Sequence, residues 1–195
     1  MSQFWLYCQL GLEHVLSWGA YDHILFLVAL VATYTFSGWK RVLIMVSVFT
    51  IGHTLALFLS AYGIVFVKSK WIEFLIPITI LVTAAYNIFT ASNKDKHKKA
   101  SLLYFTTGFF GIIHGLAFSY YFVRIIPEKE SRFFPLLEFA LGIEGAQIVI
   151  VVSVLILAFI VQNIFNVSKR DWILIASAIV IGVILPILRD NYLAL

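Results

Sequence analysis

Glu13 to Phe26 reads EHVLSWGAYDHILF. Glu13, His14, Asp22 and His23 stand within it, and apolar sequence flanks it on both sides. His53, His114 and Glu144 interrupt apolar runs further along. Ionisable groups are costly inside a membrane-class chain, and they mark functional sites. The composition puts this chain in that class. Of its 195 residues, 62% are hydrophobic and 12% are charged, and its mean hydropathy is +0.97. A soluble domain is nearer half apolar and about a quarter charged.

The expected fold is all-α, a polytopic transmembrane helix bundle of about six or seven spans with no soluble domain. A span needs roughly 20 mostly apolar residues. The apolar runs place one transmembrane domain over 1–195, with spans at about 4–16, 21–36, 42–62, 71–90, 102–125, 135–162 and 172–188. The first is short and is interrupted by Gly11, Glu13 and His14, so it reads either as a short span or as a half-buried or re-entrant helix. Trp5, Trp18, Trp39, Trp71 and Trp172 fall near span ends, as an interfacial aromatic belt does. No internal repeat is evident. The single cysteine, Cys8, excludes an intrachain disulfide and a multi-cysteine zinc site. There is no basic segment with a cleavage motif at the start, so no removable signal peptide is expected.

The net charge of +4 resides in loops and does not argue for nucleic acid. It fits topology and anionic lipids instead. Loops after the second, fourth and sixth spans hold eight lysines and arginines, including the Lys94 to Lys99 cluster, against six on the other side. That bias puts those loops and the N-terminus in the cytoplasm, in a membrane expected to be the bacterial cytoplasmic (inner) one.

Depth follows from a rise of about 1.5 Å per residue: His53 lies roughly 20 Å, and His114 roughly 18 Å, from the cytoplasmic ends of their spans. Glu144 lies roughly 13 Å in from the opposite end of its span. His14 closes the first segment, and Asp22 and His23 open the second, on that same outer side. The polar groups thus share one slab in the outer half of the membrane and converge on one metal site.

Neutral imidazoles with carboxylates suit zinc, nickel or cobalt, and no cysteine stands in these positions to select Cu(I). Asp22 and His23 point about 100° apart on a helix, so one can ligate while the other orients it. Gly52, Gly111 and Gly115 lie beside His53 and His114, where small residues let helix backbones approach. Glu144 and Gln147 share one helix face and can instead form an interhelical clamp.

Four stretches, GLEHVLSWGAYDHILFLVAL, FTIGHTLALFLS, FFGIIHGLAFS and GIEGAQ, resemble in order the successive motifs of the HupE/UreJ family of membrane proteins. The resemblance runs from Gly11 to about Gln147. It implies nickel or cobalt handling for hydrogenase and urease, with His14, Asp22, His23, His53, His114 and Glu144 as the metal-binding positions. The chain resembles a divergent branch. Seven residues separate His14 from Asp22 where better-described members have five, and the stretch from Phe109 to Ala117 lacks one histidine and one glutamate of their motif.

The function expected is binding of a divalent metal ion (nickel, cobalt or zinc) and its transport across the cytoplasmic membrane. The alternative is an intramembrane zinc-dependent hydrolase acting on a lipid or peptide, with Glu144 or Glu13 as general base. A sensing or storage accessory is a third reading. The sequence leaves open whether the chain is an enzyme. The partners expected are the metal ion and membrane lipids. A homo-oligomer is open too, since small residues serve packing within and between subunits alike.

Overall fold

A computed structural model describes residues 2–17, 19, 21–92, 100–126 and 131–195. Trp18, the lysine-rich loop with His97, and Pro127 to Glu130 lie outside the described residues. Seven α-helices account for almost all of the rest: α1 (Gln3–Leu16), α2 (Tyr21–Val31), α3 (Trp39–Ala61), α4 (Ser69–Thr90), α5 (Ala100–Ile125), α6 (Phe133–Asn163) and α7 (Lys169–Leu193). A single 3₁₀ turn, Phe36–Gly38, leads into α3. No strand occurs among the described residues. The protein is an integral membrane protein built as a helical bundle.

Five helices, α3 to α7, are long and apolar enough to cross a bilayer. The first two are not: α1 has 14 residues and α2 has 11, so they reach only about 21 and 17 Å at 1.5 Å per residue. Their axes meet at 71° across a short break, so together they make at most one broken span. The second helix ends at Val31, not at Phe36 as the apolar run suggests. Its end is closed by other groups: Ala32 N–H donates to Val28 O, Tyr34 N–H to Val31 O, and Asn87 Nδ2 of α4 to Ala29 O at 2.6 Å.

Local chemistry sets the other ends. Ser168 caps α7, accepting from Asp171 N–H at 3.1 Å while its own hydroxyl donates to the Asp171 carboxylate at 2.7 Å. α3 ends at Ala61, and two residues later Gly63, with a φ of +71°, lets the chain turn left-handed. Gly63 N–H then reaches Ser60 O, and Ile64 N–H reaches Leu59 O, which satisfies the last carbonyls. Pro77 inside α4 has no N–H, so Glu73 O loses its helical partner. Asn191 Nδ2 of α7 donates to that oxygen at 2.6 Å, which ties α4 to α7.

Two close helix contacts position the site. α3 packs along α5 in parallel: a methyl group on Gly52 would fall 2.2 Å from Gly108 O, one on Gly111 2.3 Å from Phe49 O, and one on Gly115 2.3 Å from His53 O. α1 packs along α6 antiparallel, with Gly11 against Phe139 O and Gly142 against Cys8 O at similar distances. Only glycine permits such backbone approach. Because α3 and α5 run in parallel, His53 and His114 lie at matching heights.

Candidate metal centre

Four elements deliver the polar groups. His14 sits on the last turn of α1, Asp22 and His23 on the first turn of α2, His53 midway along α3 and His114 midway along α5. His53, His114 and His23 are only 0%, 1% and 3% exposed. The His14 ring centroid lies 4.8 Å from that of His23 and 5.5 Å from that of His53; His23 lies 5.9 Å from His53 and 5.3 Å from His114. One ligand atom each from His14, His23 and His53 fall within 4.8 Å of one another, and so do one each from Asp22, His23 and His114. His23 belongs to both groups.

The protons of two rings are set by their neighbours. Asp22 Oδ1 accepts from His23 N–H at 2.9 Å and lies 3.1 Å from His23 Nδ1. The carboxylate accepts only, so Nδ1 carries the proton and Nε2 keeps its lone pair. Thr79 donates its hydroxyl proton to Ile76 O at 2.7 Å, so toward His114 Nε2, 3.2 Å away, it can only accept. His114 is therefore protonated at Nε2 and keeps its lone pair on Nδ1.

Those free nitrogens have no protein partner. Among the described residues, His14 Nε2, His23 Nε2, both ring nitrogens of His53 and Nδ1 of His114 are buried with no hydrogen bond. A buried, unsatisfied polar atom costs about 1 to 3 kcal/mol. Several such atoms converging within a few ångströms form a set that a cation satisfies at once. Imidazole nitrogens with one carboxylate are the donor set of zinc, nickel and cobalt, and an Asp behind a ligating His is the usual orienting partner.

Aromatic rings close the cluster on both sides. Phe118 lies 3.9 Å from the His14 ring and stacks on Phe139. On the opposite side Phe49 and Phe26 lie 5.2 and 5.5 Å from the His114 ring and stack on each other at 4.9 Å. Beyond Phe118, a cavity of about 700 Å³ opens between the ends of α3 and α5, with Ser60, Ser119, Arg124 and Arg132 in its wall.

Two carboxylates stand apart from the ligand groups. Glu144 accepts hydrogen bonds from Ser47 at 2.6 Å and from Thr50, both on α3. Thr50 Oγ1 is also 2.9 Å from the Gln147 amide, so Glu144 and Gln147 together clamp α6 to α3. Glu13 is exposed and accepts from Gln9 one turn earlier at 2.7 Å. Neither falls within a ligand group.

Sequence reasoning overlooked Thr79, Thr50 and Ser47. Thr50 was legible in principle, since it precedes His53 by three residues and so shares its face. Thr79 had no such signal, because its link to His114 crosses between helices.

The family described as HupE / UreJ protein matches residues 1–188. This chain belongs to the HupE/UreJ family. The match extends beyond the motif-bearing stretch and takes in α1 and nearly all of α7. HupE/UreJ proteins are linked to nickel and cobalt handling, so a metal-related role comes with membership. No curated protein and no solved structure matches the chain.

Proposed function

We propose that this chain carries a divalent cation of the nickel, cobalt or zinc kind across the cytoplasmic membrane, with its N-terminus in the cytoplasm. His14, His23, His53 and His114 hold the ion on the way, and Asp22 orients His23 from behind. Glu144, hydrogen-bonded one turn along α3 from His53, places a carboxyl group beside the path. The observation that carries the reading is the set of buried imidazole nitrogens without partners, enclosed between two aromatic layers. A closed, midway site made from several helices is what alternating access uses.

A hydrolase needs a base beside the metal-bound water. Its two candidates are committed elsewhere, Glu13 to Gln9 on an exposed face and Glu144 to Ser47 and Thr50. No observation favours hydrolysis over transport.

The test is uptake of nickel or cobalt into proteoliposomes containing the purified chain, set beside metal bound per chain. Uptake with bound metal, both lost in His53→Ala, supports the proposal. Tight binding without uptake would leave a storage or sensing protein.

A further inference from the structure

One groove stands outside the metal chemistry. A cavity of about 210 Å³ opens between α2, α4 and α5. Its wall is mainly apolar, with Leu30, Val82, Leu103 and Phe110 beside the rings of Tyr86 and Tyr104. Val82, Tyr86 and Leu102 in that wall are each more than half exposed, on helices that span the membrane, so the groove opens sideways to lipid.

The polar side chains of the wall offer little to a hydrogen-bonding solute. Thr83 donates to Thr79 O at 2.8 Å, Thr90 to Tyr86 O at 2.7 Å, and Thr106 to Leu102 O at 3.0 Å. Asn87 uses an amide N–H on Ala29 O. With these protons committed to backbone carbonyls, the groove suits a hydrocarbon chain. Arg41 stands in the same wall, and among the described residues no carboxylate does.

Helix register places Arg41 at the membrane surface. Gly111 of α5 packs on Phe49 O of α3, and the two helices run in parallel. Arg41, eight residues before Phe49, is therefore level with Leu103, eight before Gly111. α4 runs the other way. Thr79 touches His114, so Thr90, eleven residues after Thr79, is level with Leu103, eleven before His114. Arg41, Leu103 and Thr90 thus surround the mouth, each in a terminal turn of its helix. Thr83 and Phe110, seven residues further in, line the deep end at roughly 10 Å. That depth stays within one leaflet of a hydrocarbon core about 30 Å thick.

An apolar slot one leaflet deep, with a guanidinium at its mouth, matches a phospholipid. A guanidinium has five N–H donors in a planar fork and takes phosphate oxygens in pairs. Tyr104, one residue from Leu103, is at the level of lipid headgroups, where tyrosine is favoured. A zwitterionic headgroup brings its own cation and gains less from Arg41 than an anionic one does. Basic pockets between helices near a membrane surface hold anionic headgroups for this reason.

We infer that this groove binds one anionic phospholipid, with an acyl chain between α2, α4 and α5 and the headgroup phosphate on Arg41. The site is independent of the transport reading.

The test is native mass spectrometry of the full chain in detergent, with phosphatidylglycerol and phosphatidylcholine of identical acyl chains as probes. The expected result is one phosphatidylglycerol retained per chain, about five- to tenfold more tightly than phosphatidylcholine. Arg41→Gln should erase that preference. Lys40→Gln should keep it, because Lys40 lies over the Trp39 ring at 5.8 Å and forms no part of the groove wall. Thr106→Phe fills the groove and should weaken both lipids about tenfold. A preference that survives Arg41→Gln, or falls equally in Lys40→Gln, means diffuse attraction to a basic surface and overturns the site. Equal retention of the two lipids by the wild-type chain overturns it as well. A lipid-free mass of two chains, split by Thr106→Phe, replaces the lipid with a second copy of the chain. If Arg41→Gln does not fold, Thr106→Phe decides: undiminished retention of phosphatidylglycerol overturns the groove.

Discussion

Thr79 Oγ1 lies 3.2 Å from His114 Nε2 and gives its own proton to Ile76 O. A hydroxyl with its proton committed can only accept from the ring, so Thr79 fixes the tautomer in which His114 Nδ1 faces the cluster as a base. Thr79→Val keeps the shape and frees the tautomer. Metal affinity should fall about 10- to 100-fold, the usual cost of losing a partner behind a ligand. Titration calorimetry with Co²⁺ checks this, and Thr79→Ser should recover most of the loss. Equal affinity in the valine variant would show that His114 needs no orienting partner.

Asp22 plays the corresponding role for His23, at 3.1 Å from Nδ1. Asp22→Asn removes charge from behind the ligand while preserving its size. Affinity should again drop about 10- to 100-fold, with one metal still bound per chain at saturation. Competition against a fluorescent chelator measures it. A loss far beyond that range, as complete as the one expected when His53 is replaced, would mean that Asp22 ligates directly.

His53 is fully buried, and neither ring nitrogen has a partner. Replacing it with Leu should abolish metal binding and yet stabilise the metal-free protein by about 1 to 3 kcal/mol, because a buried unsatisfied polar group is removed. The signature is a higher melting temperature without metal and no further rise when Ni²⁺ is added. A destabilised metal-free variant would mean that the imidazole has partners that satisfy it.

Gly52 faces Gly108 O so closely that a methyl group would sit 2.2 Å away. Gly52→Ala must push α3 from α5, and with it His53 from His114. A cost of about 1 to 3 kcal/mol is expected from overpacking, together with loss of bound metal. Gly182 on α7 has nothing within 4 Å of the same position. Gly182→Ala should be neutral or stabilising by about 0.5 to 1 kcal/mol. Thermal unfolding in detergent with metal analysis compares the two, and equal behaviour would refute the packing argument.

Much of this architecture was legible in one dimension. Hydropathy alone placed a helical membrane bundle, since the bilayer demands long apolar segments with internally satisfied backbones. The rise per residue put His53 and His114 at one height, and the parallel packing of α3 and α5 delivers them there. The glycines beside those histidines stood out in the sequence as small residues, and in the fold each meets a backbone oxygen.

Other features were decided only in three dimensions. Glu13 and His14 are neighbours, but a rotation of about 100° between successive residues sends one to an exposed face and the other toward His23 and His53. Glu144 reads in the sequence as one more polar group at the right depth, and in the fold it is held by Ser47 and Thr50. The break between α1 and α2 and the Thr79 link to His114 depend on how helices rotate and cross. Depth follows from chain length along one axis, which the sequence determines by itself. The facing of each side chain is fixed by contacts between helices distant in sequence, and only the packed tertiary structure sets those.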